Sequence, residues 1–297
     1  MFSLAKERDT GFARIRDRVA LYRERSGRQG PSVGLALSSG AARGLAHIGV
    51  LKVLKRAGVP IDMISACSIG AVIGAMVVCE TPLEEIERVA CQISRVRMLA
   101  YTDLSLRSKG LLGGQRIQAF LCKYFGDKRF EEASVPFVVA TTDILTGDEV
   151  VIDSGPIIDG VRASISVPGV FEPHLIDGRY LVDGGLVNPV PVDYLRAAGI
   201  DVCISVNVVP RVDRKYIESP SAIDILLNAF DIMEHRVILS KGQTPDIEIC
   251  PPVDQISAIE FWRASELIRI GEKAAVGSID RIVDLVGVCK GGDSSLG

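Results

Sequence analysis

The sequence is poor in the features that nucleic-acid-binding proteins need. Only 5% of its 297 residues are aromatic, and its formal net charge is −3. Nucleic-acid-binding domains are usually basic, and those that bind single strands carry aromatic side chains on which bases stack. We therefore expect no nucleic-acid partner.

Histidines and cysteines are too few or too scattered for a metal centre. The chain contains three histidines and seven cysteines, and no two cysteines are spaced as C-x-x-C. Structural zinc sites need closely spaced ligands, and disulfide frameworks usually contain an even number of cysteines. We predict reduced thiols, a cytoplasmic protein, and neither a metal nor another cofactor.

No apolar run is long enough to cross a membrane. A transmembrane helix needs about 20 apolar residues, whereas the longest candidate here is Ile69–Cys79. The amino-terminal segment is charged throughout and lacks the apolar stretch of a signal peptide. We expect neither a membrane-spanning helix nor a secretory leader.

The sequence has the composition of a globular protein, and residues 1–30 form a basic segment, which we call the basic arm. Hydrophobic residues make up 47% of the chain and charged residues 24%, which is typical of a folded domain with a core. Residues 1–30 contain eight basic and four acidic side chains, and apolar residues recur there at helical spacing. This amphipathic arm is predicted either to pack on the domain or to lie on an anionic membrane surface, as a peripheral contact.

Beyond the arm, predicted strands alternate with predicted helices. The strands are expected at Val33–Leu37, Ile61–Ser65, 136–142, 149–152, 180–182, 201–208 and 246–249. The helices are expected at 45–57, at 69–79, from Thr81-Pro82 onward, and at 115–125, 192–198, 222–240 and 262–286. This alternation predicts an α/β protein with a mostly parallel sheet covered on both faces. We predict one domain over residues 31–290 and a disordered tail at 291–297.

A serine stands at a predicted turn between a strand and a helix, in Ala66-Cys67-Ser68-Ile69-Gly70. This is the layout of a nucleophile elbow, usually written G-x-S-x-G. The residues two before and two after the serine must be small there, because the strand and the helix pass closely. Ala66 and Gly70 meet that requirement. Serine is also a common helix N-cap, so the pentapeptide alone leaves both roles open.

A second turn of small residues, Ser38-Ser39-Gly40-Ala41-Ala42-Arg43-Gly44, follows the first predicted strand. Small residues allow successive backbone N–H groups to point at one anion. The segment lacks the G-x-G-x-x-G pattern of dinucleotide binding and the lysine of a P-loop. The pattern therefore favours an oxyanion hole over a phosphate site.

A third turn, Asp183-Gly184-Gly185, comes directly after the predicted strand 180–182. A carboxylate at a strand end can act as general base to a serine, or it can cap a tight turn. Asp183 and Ser68 are far apart in sequence, so only the fold can bring them together.

Together, these segments resemble the patatin-like phospholipases. The resemblance is carried by GLALSSGAARGLAHIGVLKVLKRAGVPIDMISACSIGA and by RASISVPGVFEPHLIDGRYLVDGGLVNPVPVD, and it extends from Ser32 to the helices near residue 285. It implies a three-layer α/β/α sandwich, distantly like the α/β-hydrolases. It also implies hydrolysis of fatty-acyl esters in lipids without a metal.

The resemblance implies a role for each motif. Ser68 matches the nucleophile and Asp183 the aspartate of a Ser-Asp dyad. The accompanying positions are the oxyanion loop with its end (Ser39, Gly40, Ala41, Arg43 and Gly44), the elbow (Ala66 and Gly70) and the aspartate turn (Gly184 and Gly185). Many family members carry glycine at the positions of Ser38, Ser39, Ala41 and Ala66. Alanine at position 41 resists a positive φ, which glycine adopts freely.

The implied reaction is acyl transfer in two steps. Asp183 accepts the hydroxyl proton of Ser68, Ser68 attacks the ester carbonyl, and water hydrolyses the acyl-enzyme. A carboxylate is a weak base, so we expect burial to raise the pKa of Asp183.

Other assignments stay open. A Ser-His-Asp triad would use His47, His174 or His235, although packing or surface roles are favoured for all three. Cys67 is expected to be a buried small side chain and not the nucleophile. The chain is alternatively a regulatory or adaptor protein that has kept the hydrolase fold, or a nucleotide-binding α/β protein.

A lipid substrate is long and apolar, so its site needs an apolar channel or a lid. The leucine-rich segment 96–114 is a candidate lid, or else a packed connection. The predicted partners are a lipid or acyl-ester substrate and, through the arm, a membrane surface. The head group, the acyl-chain length and the oligomeric state stay open.

Overall fold

A computed structural model describes residues 2–92, 115–211 and 222–287 of the chain. Within these residues, the strands are β1 Val33–Leu37, β2 Met63–Cys67, β3 Phe137–Asp143, β4 Glu149–Ile152, β5 His174–Ile176, β6 Arg179–Asp183, β7 Val202–Val206 and β8 Ile247–Ile249. They form one sheet in the order β5-β6-β3-β2-β1-β7-β8, and β4 also pairs with β3. The pairs from β3 through β2, β1 and β7 to β8 are parallel, whereas β4, β5 and β6 pair antiparallel.

The helices of the described residues flank this sheet. They are α1 Phe2–Ser26, α2 Ala46–Arg56, α3 Ile69–Val78, α4 Leu83–Cys91, α5 Gln115–Phe125, α6 Ile157–Ser164, α7 Val192–Ala197, α8 Ala222–Lys241, α9 Ala264–Val276 and α10 Ile279–Val286. Short 3-10 turns lie at Ala41–Leu45 and Gly184–Leu186.

The central strands bury both of their faces. Successive side chains of a strand point to opposite faces of the sheet. Leu35 and Ile64 therefore belong to a large core that also contains side chains of α2, α3, α4 and α9. Ala36 and Met63 belong to a second core with side chains of α1 and α7. The α/β/α sandwich with a mostly parallel sheet is thus confirmed.

The basic arm packs on the domain through its described side chains. Ile15 is 1% exposed and Val19 6%, and both lie in the second core. Arg14 pairs with Asp153 at 3.3 Å, while Arg23 and Arg28 pair with the buried Asp62 at 2.9 and 3.3 Å. These arginines are therefore used within the molecule. Contact of the arm with a membrane stays a prediction.

The structure differs from the predicted elements in three places. α6 and β5 have no counterpart in the prediction, because segments of eight and three residues are too short for a clear periodicity. The predicted helix 262–286 is two helices, separated at Gly277 and Ser278. Glycine disfavours a helix interior. The candidate lid 96–114 and the tail 291–297 lie outside the described residues. The division of the chain at residues 30 and 290 stays a prediction.

Membrane-spanning helices, disulfides and metal-ligand clusters are not found in the described part of the chain. None of its helices is both long enough and apolar enough to cross a membrane. Its six cysteines are all free. In the same residues, no group of three His, Cys, Asp or Glu side chains is arranged to hold a metal ion.

Candidate active site

Ser68 occupies a strained turn between β2 and α3. Its backbone has φ 52° and ψ −121°, a positive φ that non-glycine residues rarely adopt and that is frequent at functional sites. A Cβ on Gly70 would lie 2.4 Å from the carbonyl oxygen of Leu37, so only glycine fits there. The backbone N–H of Ser68 donates to Ser164 Oγ at 2.9 Å. The elbow is thus fixed by β1 and α6 as well as by its own sequence.

Asp183 is brought to Ser68 by the sheet. It ends β6, which pairs with β3, the neighbour of β2. The Ser68 hydroxyl donates to Asp183 Oδ2 at 2.6 Å, and the N–H of Gly185 donates to Asp183 Oδ1 at 2.8 Å. Asp183 is fully buried and Ser68 is 7% exposed. Both oxygens of the carboxylate are therefore oriented, one of them by the serine.

Burial raises the pKa of the Asp183 carboxyl group. Removal from water raises the pKa of Asp183 to about 6, against the lowering effect of the hydrogen bonds from Ser68, Gly185 and Cys67. A carboxyl group with this pKa is ionised at neutral pH yet accepts a proton more readily than an exposed aspartate.

Both glycines of the aspartate turn are required by close contacts. A Cβ on Gly184 would lie 2.4 Å from the carbonyl oxygen of Ala140, and one on Gly185 would lie 2.2 Å from Glu234 Oε1. Such approaches are shorter than any stable contact with a Cβ. The turn can therefore sit against the β3 backbone only because Gly184 has no side chain, and a side chain at position 185 would have to displace the Glu234 carboxyl group.

The oxyanion loop presents two backbone donors. The N–H groups of Ser39, Ala42 and Arg43 donate to the carbonyl oxygens of Pro189, Ala258 and Gly40. Within the described residues, the N–H groups of Gly40 and Ala41 donate to no protein acceptor. Gly40 has φ 136° and Ala41 φ 50°. These two donors are therefore unused within the described residues, and an oxyanion hole would need such donors.

The loop also lies directly against the elbow. A Cβ on Gly44 would lie 2.1 Å from Ile69 Cγ2, so the missing side chain lets the 3-10 turn rest on the residue after Ser68. This places the loop and the serine at the carboxyl ends of the adjacent strands β1 and β2.

Two predicted members of the oxyanion loop, Ser39 and Arg43, have backbone N–H groups that are bonded within the protein. The N–H of Ser39 is bonded to Pro189, and Arg43 turns its side chain away into the protein. Arg43 Nη1 and Nη2 donate to the carboxylate of Asp231 at 3.0 and 3.2 Å, and Nε donates to the carbonyl oxygen of Ile256 at 2.7 Å. Arg43 thus holds the loop in place and offers it no free donor.

Ala41 is the unusual residue of this loop, and replacing it with glycine is expected to stabilise the protein. Its φ of 50° is unfavourable for alanine by about 1–2 kcal/mol, whereas glycine adopts it freely but adds about 0.5–1 kcal/mol of unfolded-chain entropy. Ala41→Gly should therefore raise the free energy of unfolding by up to about 1 kcal/mol. Urea denaturation measures this change.

The matched control is the neighbouring residue Ala42. Ala42 is fully buried and is absent from the positive-φ residues. Ala42→Gly should therefore lower the stability by about 0.5–1 kcal/mol. Equal losses in the two variants would show that Ala41 is not strained.

Several residues that contact Ser68 or Asp183 have no signal in the sequence. Ser164 Oγ donates to the carbonyl oxygen of Ala140 at 2.8 Å while accepting from Ser68. Thr142 Oγ1 donates to the carbonyl oxygen of Asp183 at 2.9 Å. Ser164 lies in the segment RASIS that carries part of the resemblance, but no spacing pattern distinguishes it there. Glu234, which touches Gly185, lies on a distant helix with no sequence signal.

No histidine of the described residues hydrogen-bonds to Ser68 or Asp183, whereas the Cys67 thiol donates to Asp183 Oδ1 at 3.8 Å. His47 Nε2 lies 2.9 Å from the carbonyl oxygen of Ser38, and burial lowers the pKa of His47 to about 4. His174 contacts Asp159 at 3.1 Å. All three histidines lie in the described residues, and none hydrogen-bonds to the dyad. Burial raises the pKa of Cys67 well above its usual range, which keeps it a thiol.

The chain belongs to the patatin-like phospholipase family, whose family model matches residues 35–196. It is 36% identical over 182 residues to an uncharacterized NTE family protein of Mycobacterium tuberculosis, covering 61% of this chain and 50% of that protein. It is 27% identical over 283 residues to Lysophospholipase NTE1 of Pyricularia oryzae, covering 86% of this chain and 19% of that protein. The chain therefore spans half or less of the length of these relatives.

A solved structure of human GIVD cytosolic phospholipase A2 is also similar to the chain. The TM-score is 0.47 at 13% sequence identity, and the match covers 94% of this chain and 64% of that one.

Proposed function

We propose that the chain is a lipid acyl hydrolase that cleaves fatty-acyl esters through Ser68 and Asp183. The observation that carries this proposal is the 2.6 Å hydrogen bond from Ser68 Oγ to Asp183 Oδ2, at a strained turn beside free backbone donors. Membership of the patatin-like phospholipase family supports a lipid substrate. Relatives named lysophospholipases suggest phospholipids with a single acyl chain.

The first step forms an acyl-enzyme. Asp183 accepts the proton of Ser68 Oγ as the oxygen attacks the ester carbonyl, whose oxygen becomes negatively charged. The N–H groups of Gly40 and Ala41 donate to that oxygen, and donors of this kind are each worth about 10²–10³ in rate. The tetrahedral intermediate collapses when the leaving alcohol takes the proton from Asp183.

The second step releases the fatty acid. Asp183, again ionised, removes a proton from a water molecule that attacks the acyl carbonyl. The same loop holds the second oxyanion, and Ser68 leaves with the proton. One carboxyl group therefore serves as base and acid in turn, which suits a pKa near neutrality better than the pKa of an exposed aspartate.

The test combines covalent labelling with hydrolysis. An alkyl fluorophosphonate should phosphonylate Ser68, because such reagents react with activated serines, and peptide mass spectrometry locates the label. Fatty-acid release should be measured from a monoacyl phospholipid, from a diacyl phospholipid and from p-nitrophenyl esters of increasing chain length. We expect labelling at Ser68 alone and a preference for long-chain monoacyl substrates.

Two controls make the result specific. Ser68→Ala should remove both the label and the activity, while His235→Ala should keep both. A wild-type protein that is neither labelled nor active on any ester would refute the hydrolase and favour a regulatory protein with a hydrolase fold. Labelling at Ser68 with hydrolysis of diacyl lipids alone would refute the substrate class only.

A further inference from the structure

Helix α8 contacts both the oxyanion loop and the aspartate turn. Near its middle, Asp231 forms the ion pair with Arg43 of the oxyanion loop. Glu234 follows three residues later on the same face and is 1% exposed. Its Oε1 lies directly against Gly185, where a Cβ would be only 2.2 Å away. Residues three apart on a helix share a face, so one helix reaches the oxyanion loop and the aspartate turn together.

In the part of the chain that the structure describes, one oxygen of the buried Glu234 carboxyl group lacks the hydrogen-bond partner that a buried charge needs. Within the described residues, Glu234 Oε1 has no hydrogen-bond partner, and neither does the buried Ser39 Oγ. An isolated carboxylate in an apolar interior is strongly disfavoured and usually takes up a proton. The contrast with Asp183 is direct, because that carboxylate accepts hydrogen bonds from Ser68 and Gly185.

The surroundings of Glu234 also favour the protonated form of its carboxyl group. Burial raises the pKa of Glu234 well above its usual range, and the negative charges of Asp183 and then Asp231 raise it further. A hydrogen bond from the Ser39 hydroxyl would lower the pKa of Glu234, as does the positive charge of Arg43, but each of these effects is weaker than burial. Cys67, the remaining titratable neighbour, stays a neutral thiol. Two carboxyl groups in one dry site cannot both ionise easily. Asp183 accepts hydrogen bonds on both of its oxygens, whereas Glu234 Oε1 accepts none within the described residues.

We propose that Glu234 is a positioning residue that stays protonated during catalysis, so that its carboxyl group adds no negative charge beside Asp183. This inference rests on the proposed function and deepens it. In its neutral form, the Glu234 carboxyl group occupies the space between Ser39 and Gly185 and adds no second negative charge there. Its O–H is a donor placed between the oxyanion loop and the aspartate turn.

The proposal predicts a rate that falls at both ends of the pH range. Below about pH 6 Asp183 becomes protonated and cannot act as base, so the rate falls on the acid side. At alkaline pH Glu234 ionises, and its charge opposes the negative charge that develops on the substrate oxygen. The loss of rate at acid pH is thus assigned to protonation of Asp183, and the loss of rate at alkaline pH to ionisation of Glu234.

The test is the pH profile of kcat and kcat/KM on a soluble p-nitrophenyl ester, for the wild type, Glu234→Gln and Glu234→Leu. Glutamine is neutral at every pH and still donates a hydrogen bond, so Glu234→Gln should keep kcat within about threefold near neutral pH and should lose the alkaline fall. Leucine donates nothing, so Glu234→Leu should lower kcat by about 10-fold to 100-fold with little change in KM. Met233→Gln, at the adjacent exposed position, is the control and should match the wild type.

The opposite results overturn the inference. An alkaline fall that is unchanged in Glu234→Gln assigns it to another group, and a Glu234→Gln that is as slow as Glu234→Leu shows that a carboxylate is needed. Thermal melting establishes that each variant is folded.

A second readout is independent of activity. The infrared difference between the wild type and Glu234→Gln at neutral pH should contain the carbonyl band of a neutral carboxylic acid. A carboxylate band in its place overturns the proposal even if esters are hydrolysed. A protein with the neutral-acid band but no Ser68 labelling and no esterase activity loses the proposed function and, with it, the positioning role. The two failures are therefore distinguishable.

Discussion

Asp183→Asn should be almost inactive and yet more stable than the wild type. The amide cannot accept the proton of Ser68, and loss of a general base lowers kcat by about 10²–10⁴-fold. Its shape is nearly that of the carboxylate, and its oxygen can still accept the N–H of Gly185, which now donates at 2.8 Å. The variant therefore removes the charge with little change in packing.

The gain in stability follows from the raised pKa. Burial raises the pKa of Asp183 from 3.8 to about 6, so the folded protein binds this proton more tightly than the unfolded chain does. The stabilisation is fully present below pH 3.8 and is lost as the pH rises through 6. Each pKa unit corresponds to about 1.4 kcal/mol. Ionised Asp183 therefore destabilises the fold by about 3 kcal/mol above pH 7, and asparagine is expected to recover about 1–3 kcal/mol of it.

Urea unfolding at two pH values measures this effect. The advantage of Asp183→Asn over the wild type should be large near pH 8 and should shrink toward acid pH, where the wild-type carboxyl group is protonated. Ser68→Ala is the matched control, because it is equally inactive but keeps the buried carboxyl group and removes one of its donors. It should show no such gain. Equal stability of Asp183→Asn and wild type near pH 8 would mean that burial does not destabilise the ionised carboxylate.

The sequence predicts the positions where small residues are unavoidable. The elbow around Ser68 and the turn after Asp183 are recognisable because strand, serine and glycine must follow each other in a fixed order for the backbone to pass. Gly70 and Gly184 confirm this, because a Cβ at either position would collide with a backbone carbonyl oxygen. The central strands are predictable for a similar reason, as short apolar runs buried on both faces.

The sequence does not predict the contacts made across the fold. Arg43 follows a loop suited to an anion, so its neighbours suggest a role in the oxyanion hole, but its partner Asp231 is 188 residues away. Glu234 and Ser164 are ordinary residues of helices, with no local pattern that marks them. Their importance depends on which helix the sheet topology places beside the site, and that information lies in tertiary packing alone.

Arg43→Met is expected to lower the free energy of unfolding by about 3–5 kcal/mol, as is typical when one partner of a buried ion pair is removed. The Arg43 side chain is fully buried and that of Asp231 is 9% exposed. Methionine fills much of the volume but leaves the Asp231 carboxylate without the guanidinium. The carbonyl oxygen of Ile256 loses its donor as well. Arg43→Lys should recover only part of the loss, because an ammonium group cannot form the two-pronged contact.

The double variant Arg43→Met/Asp231→Leu separates the two causes of this loss. If the penalty comes from leaving a carboxylate in a dry site, removing that carboxylate as well should restore more than half of the stability. If the penalty comes from lost packing, the double variant should be as unstable as Arg43→Met or worse. Urea denaturation of the wild type, both single variants and the double variant gives the coupling free energy directly.

Activity distinguishes stabilisation of the fold from positioning of the loop. The ion pair joins the oxyanion loop to α8, and the donors at Gly40 and Ala41 lie at the start of the same 3-10 turn as Arg43. A double variant with restored stability should therefore still hydrolyse esters more slowly than the wild type, because the ion pair then no longer ties the loop to the helix. Full recovery of kcat together with stability would show that the loop keeps its geometry without the ion pair, and that Arg43 serves the fold alone.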